Sequence, residues 1–104
     1  MPYLGVIRMI KGLTIPEGLE GLMDAFRAEI TQDGRRLIEL IHSTSPDLAS
    51  HAHAMRGKCA LFGEEPLAEL LGEIEFLAEN RMRENMEDLL QQVVERAREL
   101  GIYV

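Results

Sequence analysis

The residues with the most chemical promise lie in one run, Ala52-His53-Ala54-Met55-Arg56-Gly57-Lys58-Cys59-Ala60-Leu61-Phe62-Gly63. On a helix turning about 100° per residue, Leu48, Ala52, Met55, Cys59 and Phe62 fall within an arc of about 80° and form an apolar stripe. His53 sits roughly 140° from the centre of that stripe, with Ala49, Arg56, Gly57 and Ala60 beside it. A helix-interior glycine costs about 1 kcal/mol relative to alanine. The surroundings of this histidine are therefore kept small against local preference. A neutral imidazole is a nucleophile near pH 7, because its ordinary pKa is about 6.5. A wall of alanine and glycine lets another protein's active site approach the ring. Arg56, one turn away, offers fixed positive charge and a forked donor set suited to phosphoryl oxygens.

The other chemically capable side chains read more simply. His51 lies two positions from His53 and so points nearly opposite it on a helix, which argues against a shared metal site, and we read His51 as a flank residue. His42 suits the negative end of a helix dipole. Glu39 and His42 form one Glu-x-x-His pair, but a carboxylate-bridged di-iron bundle needs two, and no second pair exists. We therefore expect no metal and no cofactor. Cys59 is the only cysteine, which excludes an intrachain disulfide and a cysteine metal cluster and fits a reducing, cytoplasmic location. Its place on the apolar stripe marks it as a small hydrophobe. Without a glycine-rich phosphate loop, a Walker lysine or a kinase nucleotide motif, the chain is expected neither to bind ATP nor to phosphorylate itself.

These residues need a scaffold, and 104 residues with 46% hydrophobic and 28% charged content suffice for one domain. The periodicity is helical, with no repeat or low-complexity tract. Glu17 to Ser43 carries Leu19, Leu22, Met23, Phe26, Ile30, Leu37, Leu40 and Ile41; Gly34 marks either a bend in one helix or the junction of two. Ser45 as N-cap, Pro46 at the first position and Asp47 at the positive end predict a second helix, running to about Phe62 and closed by Gly63. A third starts around Glu64-Glu65-Pro66 and buries Leu67, Leu70, Leu71, Ile74 and Leu77. A fourth spans Met82 to Leu100 on a stripe of Met86, Leu89, Leu90, Val93, Val94, Ala97 and Leu100, with Met82 as core filler and Gly101 as its stop. The Glu and Arg residues from Glu79 to Glu99 read as a solvated face with intrahelical pairs. Short loops and one stripe per helix predict an all-α, up-down four-helix bundle over residues 16–104.

Residues 1–15 are expected to form an N-terminal segment packing on that bundle, with room for a short extra helix capping one end. Its run Tyr3 to Ile10, apolar apart from Arg8, is far shorter than the ~20 residues of a membrane span and lacks the basic region of a signal peptide. An exposed face pairing two copies is the alternative reading; we expect a monomer. Eighteen acidic against eleven basic residues leave a charge of -7, which disfavours nucleic acid and anionic membranes. Protein partners fit better.

The run from Ala52 to Gly63 resembles the signature of histidine phosphotransfer (HPt) domains: Ala-His-x-apolar-Lys/Arg-Gly, then small residues, an apolar residue and a second glycine. The resemblance extends from about Leu19 to Leu77; Leu22–Phe26 and Leu37–Leu40 match the family's first long helix and Ile74-Glu75 its Leu-Glu motif. The Phe62-Gly63 ending is similar to the phosphotransfer domain of the chemotaxis kinase. The resemblance implies a phosphocarrier in a two-component phosphorelay, without an ATP site or turnover of its own. By position, His53 becomes the phosphoacceptor through Nε2, Arg56 the phosphoryl contact, Gly57 the residue that gives the receiver room, and Glu75 the group that orients His53 through Nδ1. Implied partners are response-regulator receiver domains, with Mg²⁺ on the receiver, and a histidine kinase. Lys58 departs from the small residue common at its position and could alter which receivers dock. Gly72 stands where the chemotaxis domain has a second histidine. The competing reading is a degenerate member: a helical adaptor that binds a receiver or other protein and is never phosphorylated.

Overall fold

The computed structural model describes residues 20–104. They form four helices: α1 Glu20–His42, α2 Leu48–Leu61, α3 Glu65–Glu79 and α4 Met86–Glu99. Each packs on the next in sequence, and α1 also meets α4, which closes the bundle. The expected four-helix architecture is present. The proposed N-terminal packing segment and capping helix, and Leu19 on the first stripe, lie outside the described residues.

Each helix buries the stripe that its 3.6-residue periodicity defines. Phe26, Ile30, Leu37, Leu40 and Ile41 of α1 meet Leu48, Ala52, Met55 and Cys59 of α2, Leu67, Leu71 and Ile74 of α3, and Met86, Leu89, Leu90, Val93 and Ala97 of α4 in one core. The rings of Phe26 and Phe62 stack with centroids 4.5 Å apart. Leu22, on the expected first stripe, is exposed instead. α1 runs unbroken through Gly34, which settles the choice between one helix and two. A Cβ placed at Gly34 would lie 2.6 Å from Cγ1 of Val104. The glycine admits the C-terminal tail, whose Ile102 is fully buried in the core.

All four helices stop in the same way. In each, the residue two beyond the last helical one takes a left-handed backbone conformation: Thr44 (φ 54), Gly63 (φ 76), Arg81 (φ 55) and Gly101 (φ 81). The following N–H then reaches back to a helical carbonyl, as in Ser45 N to Leu40 O (3.0 Å), Glu64 N to Cys59 O (2.8 Å), Met82 N to Leu77 O (2.9 Å) and Ile102 N to Ala97 O (2.9 Å). These are Schellman closures, which satisfy carbonyls that a helix end leaves open. The two glycines advertise theirs; Thr44 and Arg81 adopt a conformation their side chains disfavour.

Two helix starts differ from expectation. α2 begins at Leu48 rather than Pro46, because Ser45 Oγ accepts from Asp47 N (3.1 Å) and holds Pro46 and Asp47 in a turn. α4 begins at Met86, after Asn85 in a left-handed conformation (φ 65). Met82 consequently lies in the connection and is exposed, so it is not core filler. That connection is tied down by Arg83, whose Nη2 donates to Ile41 O at the end of α1 (2.8 Å).

Candidate functional site

The α2–α3 pair holds the site, and the turn between them sets its register. Glu64 follows the closure of α2 directly, and its carboxylate accepts from Leu67 N (3.3 Å) as the N-cap of α3. The same carboxylate receives both Arg96 Nε and Arg96 Nη2 at 2.8 Å, a bidentate tie from α4. Hydrogen bonding to Glu64, then to Glu99, raises the Arg96 pKa above its ordinary value. Reading the acidic and basic residues of α4 as a solvated face missed this tertiary contact.

Burial of Ala52 on α2 and Ile74 on α3 turns their successors, His53 and Glu75, onto adjoining edges of the two helices. His53 Nδ1 lies 2.8 Å from Glu75 Oε2. The ring is exposed (65%), whereas the carboxylate is mostly covered (13%). A carboxylate oxygen only accepts, so Nδ1 carries the proton and donates, and Nε2 keeps its lone pair. This is the arrangement a nucleophilic imidazole needs.

Arg56 completes the group from one turn further along α2. Its Nη2 lies 3.1 Å from Glu75 Oε1. The same nitrogen is 3.1 Å from His53 Nδ1, but two N–H groups cannot bond each other, so the guanidinium pairs with the carboxylate. Each oxygen of Glu75 thus has its own donor. The expected contact of Arg56 with a phosphoryl group gave no hint of this pairing. Gly72 is part of the same geometry: a Cβ there would stand 3.3 Å from Arg56 Cδ.

Gly57 presents open space, since a Cβ placed on it meets nothing within 4 Å among the described residues. His53, Ala54, Gly57, Ala60 and Leu61 form an exposed face, and Phe76 beside Glu75 on α3 is exposed as well. Thus the structure brings His53, Arg56 and Glu75 into contact and leaves the Cβ position of Gly57 next to them open among the described residues.

The remaining candidates lie elsewhere. His51 is half-buried rather than a bare flank residue, and its Nε2–H donates to Asp33 O of α1 (2.8 Å). Lys58, the departure from the signature, reaches α1 too, with Nζ 2.8 Å from Asp33 Oδ2 and 3.0 Å from Glu29 Oε1. Hydrogen bonds to Asp33, then Glu29, raise its pKa. Both residues fasten α1 to α2. His42 lies 3.3 Å from Glu87. Cys59 is fully buried, and burial, reinforced by the charges of Glu64 and Asp33, pushes its thiol up to about 12. It stays protonated at neutral pH and is a poor nucleophile. No cluster of three His, Cys, Asp or Glu able to hold a metal occurs among the described residues. No described helix is long and apolar enough to cross a membrane.

The family model of the Hpt domain matches residues 21–100, most of the chain and the whole of the site. No curated protein and no solved structure matches it.

Proposed function

The chain belongs to the Hpt domain family, whose role is histidine phosphotransfer in phosphorelays, and we propose that it does so by carrying the phosphoryl group on Nε2 of His53. The observation that carries this reading is the 2.8 Å bond from His53 Nδ1 to Glu75 Oε2 on a ring that is otherwise exposed. In the first step the Nε2 lone pair attacks the phosphorus of a receiver's phosphoaspartate. A P–N bond forms, the P–O bond to the aspartate breaks, and the electron pair leaves with the carboxylate. The ring, still protonated at Nδ1, becomes cationic, and the Glu75 carboxylate beside it offsets that charge. Return is the reverse: a receiver aspartate attacks phosphorus and the P–N pair goes back to Nε2. Mg²⁺ belongs to the receiver in this scheme. What this chain contributes is position and charge compensation, the main resources of phosphoryl-transfer catalysis.

The partners are receiver domains, docking transiently on the face that carries His53, Gly57 and Ala60, with a histidine kinase as the further source of phosphate. A modest, weakly bound interface suits a carrier that must hand its cargo on. The cytoplasm is the compartment in which such partners meet. The direct test is intact mass after mixing with a phosphorylated receiver: one added phosphoryl group supports the reading, and no addition under any donor supports an adaptor that is never phosphorylated.

The role of Glu75 has its own expected outcome. Glu75→Ala removes the acceptor for Nδ1–H, so the ring can place its proton on Nε2 and lose the attacking lone pair. Transfer to His53 should slow, by up to about 10²-fold, while helicity and melting change little. Stopped-flow transfer from a phosphorylated receiver measures it, and an unchanged rate would take Glu75 out of the mechanism.

A further inference from the structure

We propose that Gly72 is a positioning residue for phosphotransfer, because its missing side chain lets Arg56 cross α3 and hold the Glu75 carboxylate on His53. The inference rests on His53 being the phosphoacceptor. Gly72 lies inside α3, where alanine is the better helix former. Its backbone is not among the left-handed positions, so conformation does not call for glycine. Helix packing does not call for it either. Among the described residues, a Cβ at Gly72 would meet one heavy atom within 4 Å, Arg56 Cδ at 3.3 Å, and no core side chain or backbone atom of another helix. What the glycine accommodates is the aliphatic stem of Arg56.

That stem determines where the guanidinium goes. Gly72 and Glu75 are three residues apart on α3 and so neighbours on one helix face. With its stem against Gly72, Arg56 places Nη2 at 3.1 Å from Glu75 Oε1, while Glu75 Oε2 receives His53 Nδ1 at 2.8 Å. The terminal torsion of a glutamate is soft. Two donors on two separate oxygens remove that freedom. Without Arg56, Oε1 turns to water, the carboxylate rotates, and the Nδ1–H form of His53 is no longer favoured. Gly72 thereby acts at a distance from the reacting nitrogen, through Arg56 and then Glu75.

Gly72→Leu should push the Arg56 stem off α3. A displacement of ~1 Å in a reacting constellation can cost roughly 10²-fold in rate. Acting through two intermediaries, Gly72→Leu should slow transfer from a phosphorylated receiver about tenfold, with no loss of melting temperature. Gly72→Ala, a single added methyl that α3 readily accepts, should move the same way with smaller amplitude. The deciding readout is imidazole ¹⁵N chemical shifts of His53 in the unphosphorylated protein at neutral pH. Wild type should be mainly in the Nδ1–H form; Gly72→Leu and Arg56→Ala should both shift it toward Nε2–H. In an Arg56→Ala background, Gly72→Leu should have no further effect on tautomer or rate, the non-additivity expected of residues acting through one contact. Additive effects, or an unshifted tautomer in both Gly72 variants, would overturn the proposal. Should wild type accept no phosphate, the phosphotransfer reading falls, and the tautomer shifts still decide whether Gly72 positions Arg56 and Glu75.

Discussion

His53→Gln should abolish the acid-labile, base-stable phosphate that a phosphorylated receiver is expected to deposit on this protein, and His51→Gln should leave it in place. The two histidines are separated by one residue, yet the bundle treats them differently. His53 is exposed with Nδ1 bonded to a carboxylate, so Nε2 is free to attack. His51 is half-buried against α1 and donates Nε2–H to the Asp33 carbonyl, so that nitrogen has no lone pair with which to attack. Glutamine preserves hydrogen-bonding capacity at position 53 but has no lone pair of imidazole basicity, so the loss should be complete rather than graded. The measurement is intact mass and radiolabel after base and acid quenches, with circular dichroism to confirm that both variants fold. Label surviving in the His53 variant would move the phosphoacceptor elsewhere. Cys59 is not a credible recipient, since it is fully buried and its thiol is pushed up to about 12.

The parts legible in the sequence were those with a local signature. Four apolar stripes at helical spacing specify four helices, and Gly63 and Gly101 mark two of their ends, because only glycine enters the left-handed region without resistance. The twelve-residue run around His53 carries the family pattern in contiguous residues. What escaped depends on tertiary context. Thr44 and Arg81 close helices just as the glycines do, but neither residue type announces it, and α4 starts four residues later, at Met86, than the expected Met82. Ile102 follows a stop signal, and only the fold shows that the tail turns back into the core beside Gly34. Arg96 and Lys58 resemble ordinary surface charges until their carboxylate partners on other elements are known. Gly72 left one weak trace: a mid-helix glycine one turn from Glu75, as Gly57 is one turn from His53.

That parallel separates two uses of glycine, and Gly57 is the simpler. With nothing within 4 Å of its Cβ position among the described residues, Gly57 has no contact to protect within the four-helix bundle they form. Alanine at this position should stabilise the protein by up to about 1 kcal/mol through helix propensity alone. Leucine should be tolerated as well, since it would project into open space from a helix whose core stripe lies on the other side. Catalytically the result should be the reverse. Gly57 is one turn from His53 on the exposed face, so a leucine there would occupy the volume through which, on the proposed function, a receiver's aspartate approaches Nε2. Holding the donor back by ~1 Å can cost roughly 10²-fold, and a branched four-carbon side chain is larger than that clearance. Gly57→Leu is therefore expected to melt no lower than wild type and to transfer phosphate at least about 10²-fold more slowly. Its reactivity toward a small phosphodonor should fall much less, because such a donor does not need the helix face. The comparison of the two donors on one variant separates access from chemistry. A variant that unfolds would mean that the face is occupied in the native protein. A variant that folds and transfers at the wild-type rate would mean that receivers reach His53 from another side.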